Sequence, residues 1–162
     1  MRFALLLAIL CGNPYTAAAA PAPLPQPEIV HFQSGNRTLG GELYKPSGAG
    51  PFPAVLYNHG SAEGMLSDAA AKAMGPLYAA KGWVYFMPYR RGQGLSAQAG
   101  PYIGDEIKKA QKKGGDALAV KTMIQLLTTD HLDDQLAALT WLKNQPFVQV
   151  KRIAVAGQSF GG

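Results

Sequence analysis

Three short apolar runs most constrain what this chain can fold into: PAVLYNHG (Pro53 to Gly60), WVYFMPYR (Trp83 to Arg90) and RIAVAG (Arg152 to Gly157). Each has the length and continuous hydrophobicity of a strand buried on both faces, which is the pattern of a parallel sheet. Between them lie stretches of helical composition. Ser67 to Lys81 is Ala-rich and stopped by Gly82; Asp105 to Asn144 is interrupted near Gly114-Gly115 and again near Thr128-Thr129. Parallel strands need crossover connections, so this alternation predicts an α/β sheet with helices on both faces. Ahead of it, EIVHFQS and RTLGGELYKP pair Val30 with Phe32 and Leu39 with Leu43 around Ser34-Gly35-Asn36, an antiparallel hairpin. The last helix is the clearest. Leu132, Leu136, Leu139 and Leu142 make one apolar stripe, Asp133 and Asp134 sit in its first turn, and Pro146 follows its end.

Of the 162 residues, 48% are hydrophobic and 15% charged, and 19 Gly and 12 Pro supply the turns, which fits a globular chain rather than a disordered one. The net charge of +5 is modest. Lys108, Lys109, Lys112 and Lys113 fall on one side of a predicted helix without interleaved aromatics, so they read as a solvated face and not as a nucleic-acid patch.

Residues 1–20 read as a signal peptide: Arg2, then the apolar run FALLLAIL, too short to span a bilayer, then small residues suited to cleavage before Pro21. The expectation is export, to the periplasm or beyond. Cys11, the only cysteine, follows Leu10, which is not small, and that argues against lipid anchoring. A mature chain would have no thiol nucleophile and no disulfide, and Cys/His zinc spacing is absent, so no metal or cofactor is expected. Residues 21–27 form a Pro-rich linker and 28–162 the folded part.

Chemistry concentrates at Gly157-Gln158-Ser159-Phe160-Gly161, a G-x-S-x-G. At the glycine content of this chain such a pattern arises by chance in roughly one sequence in ten. Its position where a buried strand ends and a helix should start makes it far more specific. A turn that tight strains the serine backbone and needs nearly side-chain-free flanks at Gly157 and Gly161. It lifts the hydroxyl above the sheet beside a helix N-terminus. A tight strand–helix turn without chemistry is the other reading of the same residues. Arg90-Arg91-Gly92-Gln93-Gly94 is not a dinucleotide site, because Ala97 stands where G-x-G-x-x-G needs glycine.

NHGSAEG after one strand, PYRRGQGLS after the next, and LDDQLAALTWLKNQPFVQVKRIAVAGQSFGG at the end occur in that order. With them the chain resembles the N-terminal part of an α/β-hydrolase, in the dienelactone hydrolase and prolyl oligopeptidase-like group. The resemblance implies an exported serine hydrolase of small ester, lactone or peptide-like substrates, with Ser159 the nucleophile. The backbone N–H of Phe160 and that of Ser61, or of Ala62 beside it, would serve as oxyanion donors. It places His59, next to Gly60, in a structural role against backbone, and the arginine loop at the mouth of the site, where it pins neighbouring loops. In this fold the triad runs serine, acid, histidine along the chain. His31, His59 and His131 all precede Ser159. The acid and base would therefore lie beyond Gly162, and the chain reads as truncated just after its nucleophile elbow and inactive by itself. A non-catalytic α/β binding module, and half of a split hydrolase completed by another chain, remain open beside that reading. Substrate identity and oligomeric state are not legible.

Overall fold

The computed structural model describes residues 25–61 and 69–162. The signal peptide, Cys11, most of the Pro-rich linker, Ala62 and the start of the first predicted helix lie outside the described residues. The elements are β1 (Glu28–Ser34), β2 (Arg37–Tyr44), β3 (Phe52–Asn58), α1 (Ala69–Ala80), β4 (Val84–Pro88), α2 (Ile103–Thr128), α3 (Asp130–Lys143) and β5 (Val148–Gly157). They form one five-stranded sheet in the order β1-β2-β4-β3-β5. The predicted hairpin sets Phe32 opposite Leu39. It joins the sheet through antiparallel β2–β4 pairing, with Leu43 opposite Phe86. β4, β3 and β5 run parallel.

Period-two alternation sends neighbouring residues to opposite faces. Val84 and Phe86 of β4 join Phe32, Leu39, Leu43 and Leu56 in one core, closed by Ala138 and Leu142 of α3. Tyr85 and Met87 join Tyr44 and Val55 in the other, closed by Ala71 and Ala79 of α1. The close approach of α1 depends on Gly75, where a Cβ would overlap the Tyr44 ring. Both predicted helix interruptions are present. Gly115 has φ 72, and Gly114 just before it is also non-helical. Thr129 (φ −124, ψ −100) separates α2 from α3. The lysines on α2 are exposed, as a solvated face requires.

Four local expectations need correction. The third strand ends at Asn58, so His59 and Gly60 already belong to the loop. The last strand starts at Val148, not Arg152, after an irregularity in its pairing with β3. Ser34 is the buried last residue of β1, so the turn itself is Gly35-Asn36. Only half of the leucine stripe of α3 is its core face: Leu142 is buried and Leu139 packs against the core, whereas Leu132 and Leu136 are 40% and 50% exposed and His131, Asp134 and Ala138 face inward instead. Helical spacing predicted that one face is buried; the partners of Asp134 decide which.

The turned-out leucines have a consequence. With Leu56, Asn58 and Val155 they line an apolar groove of about 210 Å³ beside β5. Among the described residues β5 pairs only with β3, and Val150 and Val155 are more than half exposed. Unpaired edges of this kind template pairing with other chains unless charge or a covering element blocks them. In soluble monomer, Val155 and Ala156 are therefore expected to exchange their amide hydrogens much faster than Val55 and Phe86. Equal protection of all four would show that the edge is covered.

Candidate active site

At the end of β5, Gln158 is still extended (φ −136, ψ 135), and the chain then turns sharply into a 3-10 segment, Ser159–Gly161. Ser159 takes φ 54, the only non-glycine residue with positive φ among the described residues. That conformation costs of order 1–3 kcal/mol and is held by what surrounds it. A Cβ on Gly157 would overlap the Gly161 carbonyl, and one on Gly161 would overlap the Asn58 carbonyl. A Cβ on Gly60 would come within 3.3 Å of the Ser159 Cβ. The loop after β3 thus lies directly against the turn after β5; Gly157 and Gly161 have no room for a side chain, and Gly60 only a tight one. Gln158 N–H donates to the Asn58 carbonyl (3.2 Å), and Tyr57 Oη donates to Gln158 Oε1 (3.2 Å), securing the turn to β3.

Arg90 fastens the two loops together. It is 2% exposed. Its Nη2 donates to the carbonyls of His59 (2.7 Å) and Gly60 (3.0 Å), and its Nη1 donates to the carbonyl of Phe160 (2.9 Å). Burial lowers its pKa to about 10, with Asp134 pulling the other way, so it stays charged at neutral pH. A guanidinium turned inward, with both terminal nitrogens on backbone carbonyls, pins loops and does not present itself to a substrate. Arg91 is committed elsewhere. Its Nε and Nη2 bond both oxygens of Asp134 (2.9 and 2.7 Å), its backbone N–H bonds Asp134 as well, and Nη1 reaches Asp130 at 2.8 Å. Ser34 Oγ donates to the same carboxylate (2.7 Å). Burial would raise the Asp134 pKa, but the hydrogen bonds from Arg91 and Ser34 outweigh it and hold the carboxylate below its ordinary range.

His59 has both ring nitrogens occupied. Nε2 accepts the Arg90 backbone N–H (3.2 Å), which leaves the proton on Nδ1 to donate to the Gly60 carbonyl (2.6 Å). Burial, then the Arg90 charge, lowers its pKa to about 4. His131, also buried, is lowered to about 4 for the same reasons in the same order. His31 is exposed on β1, at the far edge of the sheet from β5. No histidine hydrogen-bonds Ser159 among the described residues.

These two histidines set an acid limit. Each has a folded-state pKa below its ordinary 6.5, so the unfolded chain takes up the proton first as pH falls. Their contribution to stability is complete above pH 6.5 and lost between 6.5 and about 4, at most about 3 kcal/mol each. Asp134 acts only lower still, because its depressed pKa matters below the ordinary carboxylate value. Urea unfolding from pH 7 to 4.5 should show the loss, and His59→Asn should reduce it. A midpoint that does not move over that range would contradict the buried neutral state.

The structure thus gathers Ser159, Phe160, Gly157, Gly161, His59, Gly60 and Ser61 at one end of β3 and β5. Sequence reading missed two members of the surrounding frame. Asp134 passed for a helix-dipole charge, although it lies at helical spacing from Ala138 and Leu142, a usable signal. Gln93 passed for a loop residue; it is buried, and its Nε2 donates to Ser61 Oγ at 2.8 Å. No sequence signal marks it. Among the described residues no three His, Cys, Asp or Glu side chains gather as metal ligands.

Solved structures with a similar fold include hydrolases. The chain superposes on the esterase Est22 (TM-score 0.60, 20% identity) over 88% of its own length and 37% of that protein. It matches the Pyrococcus horikoshii acylaminoacyl peptidase (TM-score 0.54, 20% identity) over 86% of this chain and 20% of that one. It matches a 2,6-dihydroxy-pseudo-oxynicotine hydrolase (TM-score 0.53, 17% identity) over 85% and 31%. The chain has the fold of the N-terminal part of an α/β-hydrolase. It spans between a fifth and two fifths of the length of these three proteins. No family model and no curated protein matches the sequence.

Proposed function

We propose that this chain is the nucleophile-bearing part of an exported serine hydrolase that cleaves carboxylic ester, lactone or amide bonds of small molecules through an acyl-enzyme at Ser159. The observation that carries it is the left-handed backbone of Ser159 between glycines that have no room for a Cβ. Strain of that kind on a serine is what a nucleophile elbow requires, and it exposes the hydroxyl where an acyl carbon can reach it. In the acylation step the hydroxyl oxygen attacks the carbonyl carbon and its proton passes to a base. Negative charge collects on the carbonyl oxygen, which the backbone N–H groups of Phe160 and Ser61 stabilise. The leaving group departs with the proton from that base. Arg90 keeps the two donor-bearing loops in register, and His59, with no free nitrogen, belongs to the frame.

The base and its orienting acid would come from a segment beyond Gly162, following the serine–acid–histidine order of this fold. In a complete protein carrying that segment, a fluorophosphonate should label Ser159, located by peptide mass spectrometry, and Ser159→Ala should abolish the label. Labelling elsewhere, or none, would remove the nucleophile assignment. Export rests on the N-terminal sequence alone. Exported material should begin near Pro21, and material still beginning at Met1 would end that part of the proposal.

A further inference from the structure

The Ser61 hydroxyl has an unusual hydrogen-bond balance. A serine hydroxyl offers one donor and two acceptor positions. Here the oxygen accepts from Gln93 Nε2 at 2.8 Å and, more loosely, from Arg90 Nη2 at 3.4 Å. Its own proton has no acceptor among the described residues. With both acceptor positions taken, the proton is what this hydroxyl has left to offer, and acceptance from an amide and a guanidinium strengthens it as a donor.

Neither of the two groups can drift away. Gln93 is 3% exposed and sits between Gly92 (φ 74) and Gly94 (φ 49). Its N–H donates to the Arg90 carbonyl (3.3 Å), and its own carbonyl accepts from Ser96 N–H (2.8 Å). Arg90 is held by three backbone carbonyls, one of them that of Phe160. One planar guanidinium thus reaches Ser61 Oγ with one nitrogen and the residue after Ser159 with the other. Ser61 also follows Gly60, where a Cβ would lie 3.9 Å from Ser159 Oγ.

We propose that the Ser61 hydroxyl is a third donor to the oxyanion formed at Ser159, beside the backbone N–H groups of Ser61 and Phe160, and that Gln93 is its positioning residue. The proposal rests on the reading of Ser159 as nucleophile. It makes Ser61 a catalytic residue through its side chain as well as its backbone. A preorganised donor to an oxyanion is worth on the order of a hundredfold in turnover.

The experiment uses the complete protein acting on a p-nitrophenyl ester. Ser61→Ala keeps the backbone N–H and removes only the hydroxyl. It should lower kcat on the order of a hundredfold with little change in KM, and weaken a phosphonate transition-state analogue by a similar factor. Ser61→Thr should restore most of the loss. Gln93→Glu replaces the amide donor with an acceptor that captures the Ser61 proton, so it should fall as far as Ser61→Ala, and the two together no further. A Ser61→Ala enzyme with kcat within about twofold of the parent overturns the role. So does an undiminished Gln93→Glu enzyme, which would mean the hydroxyl already donates to Gln93. If the glutamate prevents folding, the Ala and Thr variants decide the matter. Ser159→Ala is measured alongside: activity surviving there overturns the nucleophile reading and this role with it, whereas activity lost there but intact in Ser61→Ala removes only the role.

Discussion

Against a simple aryl ester, the 162-residue chain is expected to turn over on the order of a millionfold more slowly than a complete protein carrying the same Ser159. A serine hydroxyl is a weak nucleophile until a base takes its proton. None of the three histidines can do so here. His59 spends Nδ1 on the Gly60 carbonyl and Nε2 on the Arg90 N–H. His131 is buried, with Nδ1 unpartnered and no hydrogen bond to Ser159. His31 lies on β1, separated from β5 by three strands. Oxyanion donors and binding alone leave a small residual acceleration, and Ser159→Ala should change that residue little. Progress curves at high enzyme concentration, with the Ser159→Ala chain as control, are the measurement. Ordinary enzyme rates that require Ser159 would mean that one of these histidines serves as base and that the frame rearranges to release it.

The largest stability effect is expected at Asp134. Its side chain is 1% exposed, and it holds the Arg91 guanidinium, the Arg91 N–H and the Ser34 hydroxyl at once. Removing the carboxylate strands a buried cation and two buried donors. Breaking a buried pair in this way costs about 3–5 kcal/mol. Asp130, half exposed, still pairs with Arg91 and should keep Asp134→Ala toward the lower end. Against a typical total of about 5–15 kcal/mol, that brings the chain close to unfolding. Urea midpoints should show Asp134→Ala far below the parent, while Asp130→Ala costs much less. Replacing Arg91 and Asp134 together with Met and Leu should recover much of the loss, because it removes the charge instead of orphaning it. An Asp134→Ala chain within 1 kcal/mol of the parent would mean that solvent reaches Arg91.

The two predictions draw on one arrangement. Arg91 and Asp134 fix α3 against the start of the loop after β4. Arg90, one residue earlier, uses that anchored loop to hold His59, Gly60 and Phe160. Loss of Asp134 should therefore disturb the Ser159 turn as well as overall stability.

Local chemistry in the sequence determined a good deal of this. The three apolar runs, the hairpin pairs, the breaks at Gly114-Gly115 and Thr128-Thr129, and the glycines around Ser159 each act through their own backbone or nearest neighbours. Gly157 can be recognised without knowing what lies across from it, because its constraint, the Gly161 carbonyl four residues on, is steric and local, whereas Gly161 also faces the distant Asn58 carbonyl. Tertiary structure decided whatever depended on partners distant along the chain. Asp134 meets Ser34 across 100 positions and Arg91 across 43. Those contacts turn a charged residue inward and rotate Leu132 and Leu136 out of the core. Arg90 reaches Phe160 across 70 positions, and only the parallel alignment of β4, β3 and β5 brings the two together. Periodicity specifies that a helix has a buried face. Which face is buried depends on where the unpaired charges of the rest of the fold come to lie, and no short window of sequence contains both ends of those pairs.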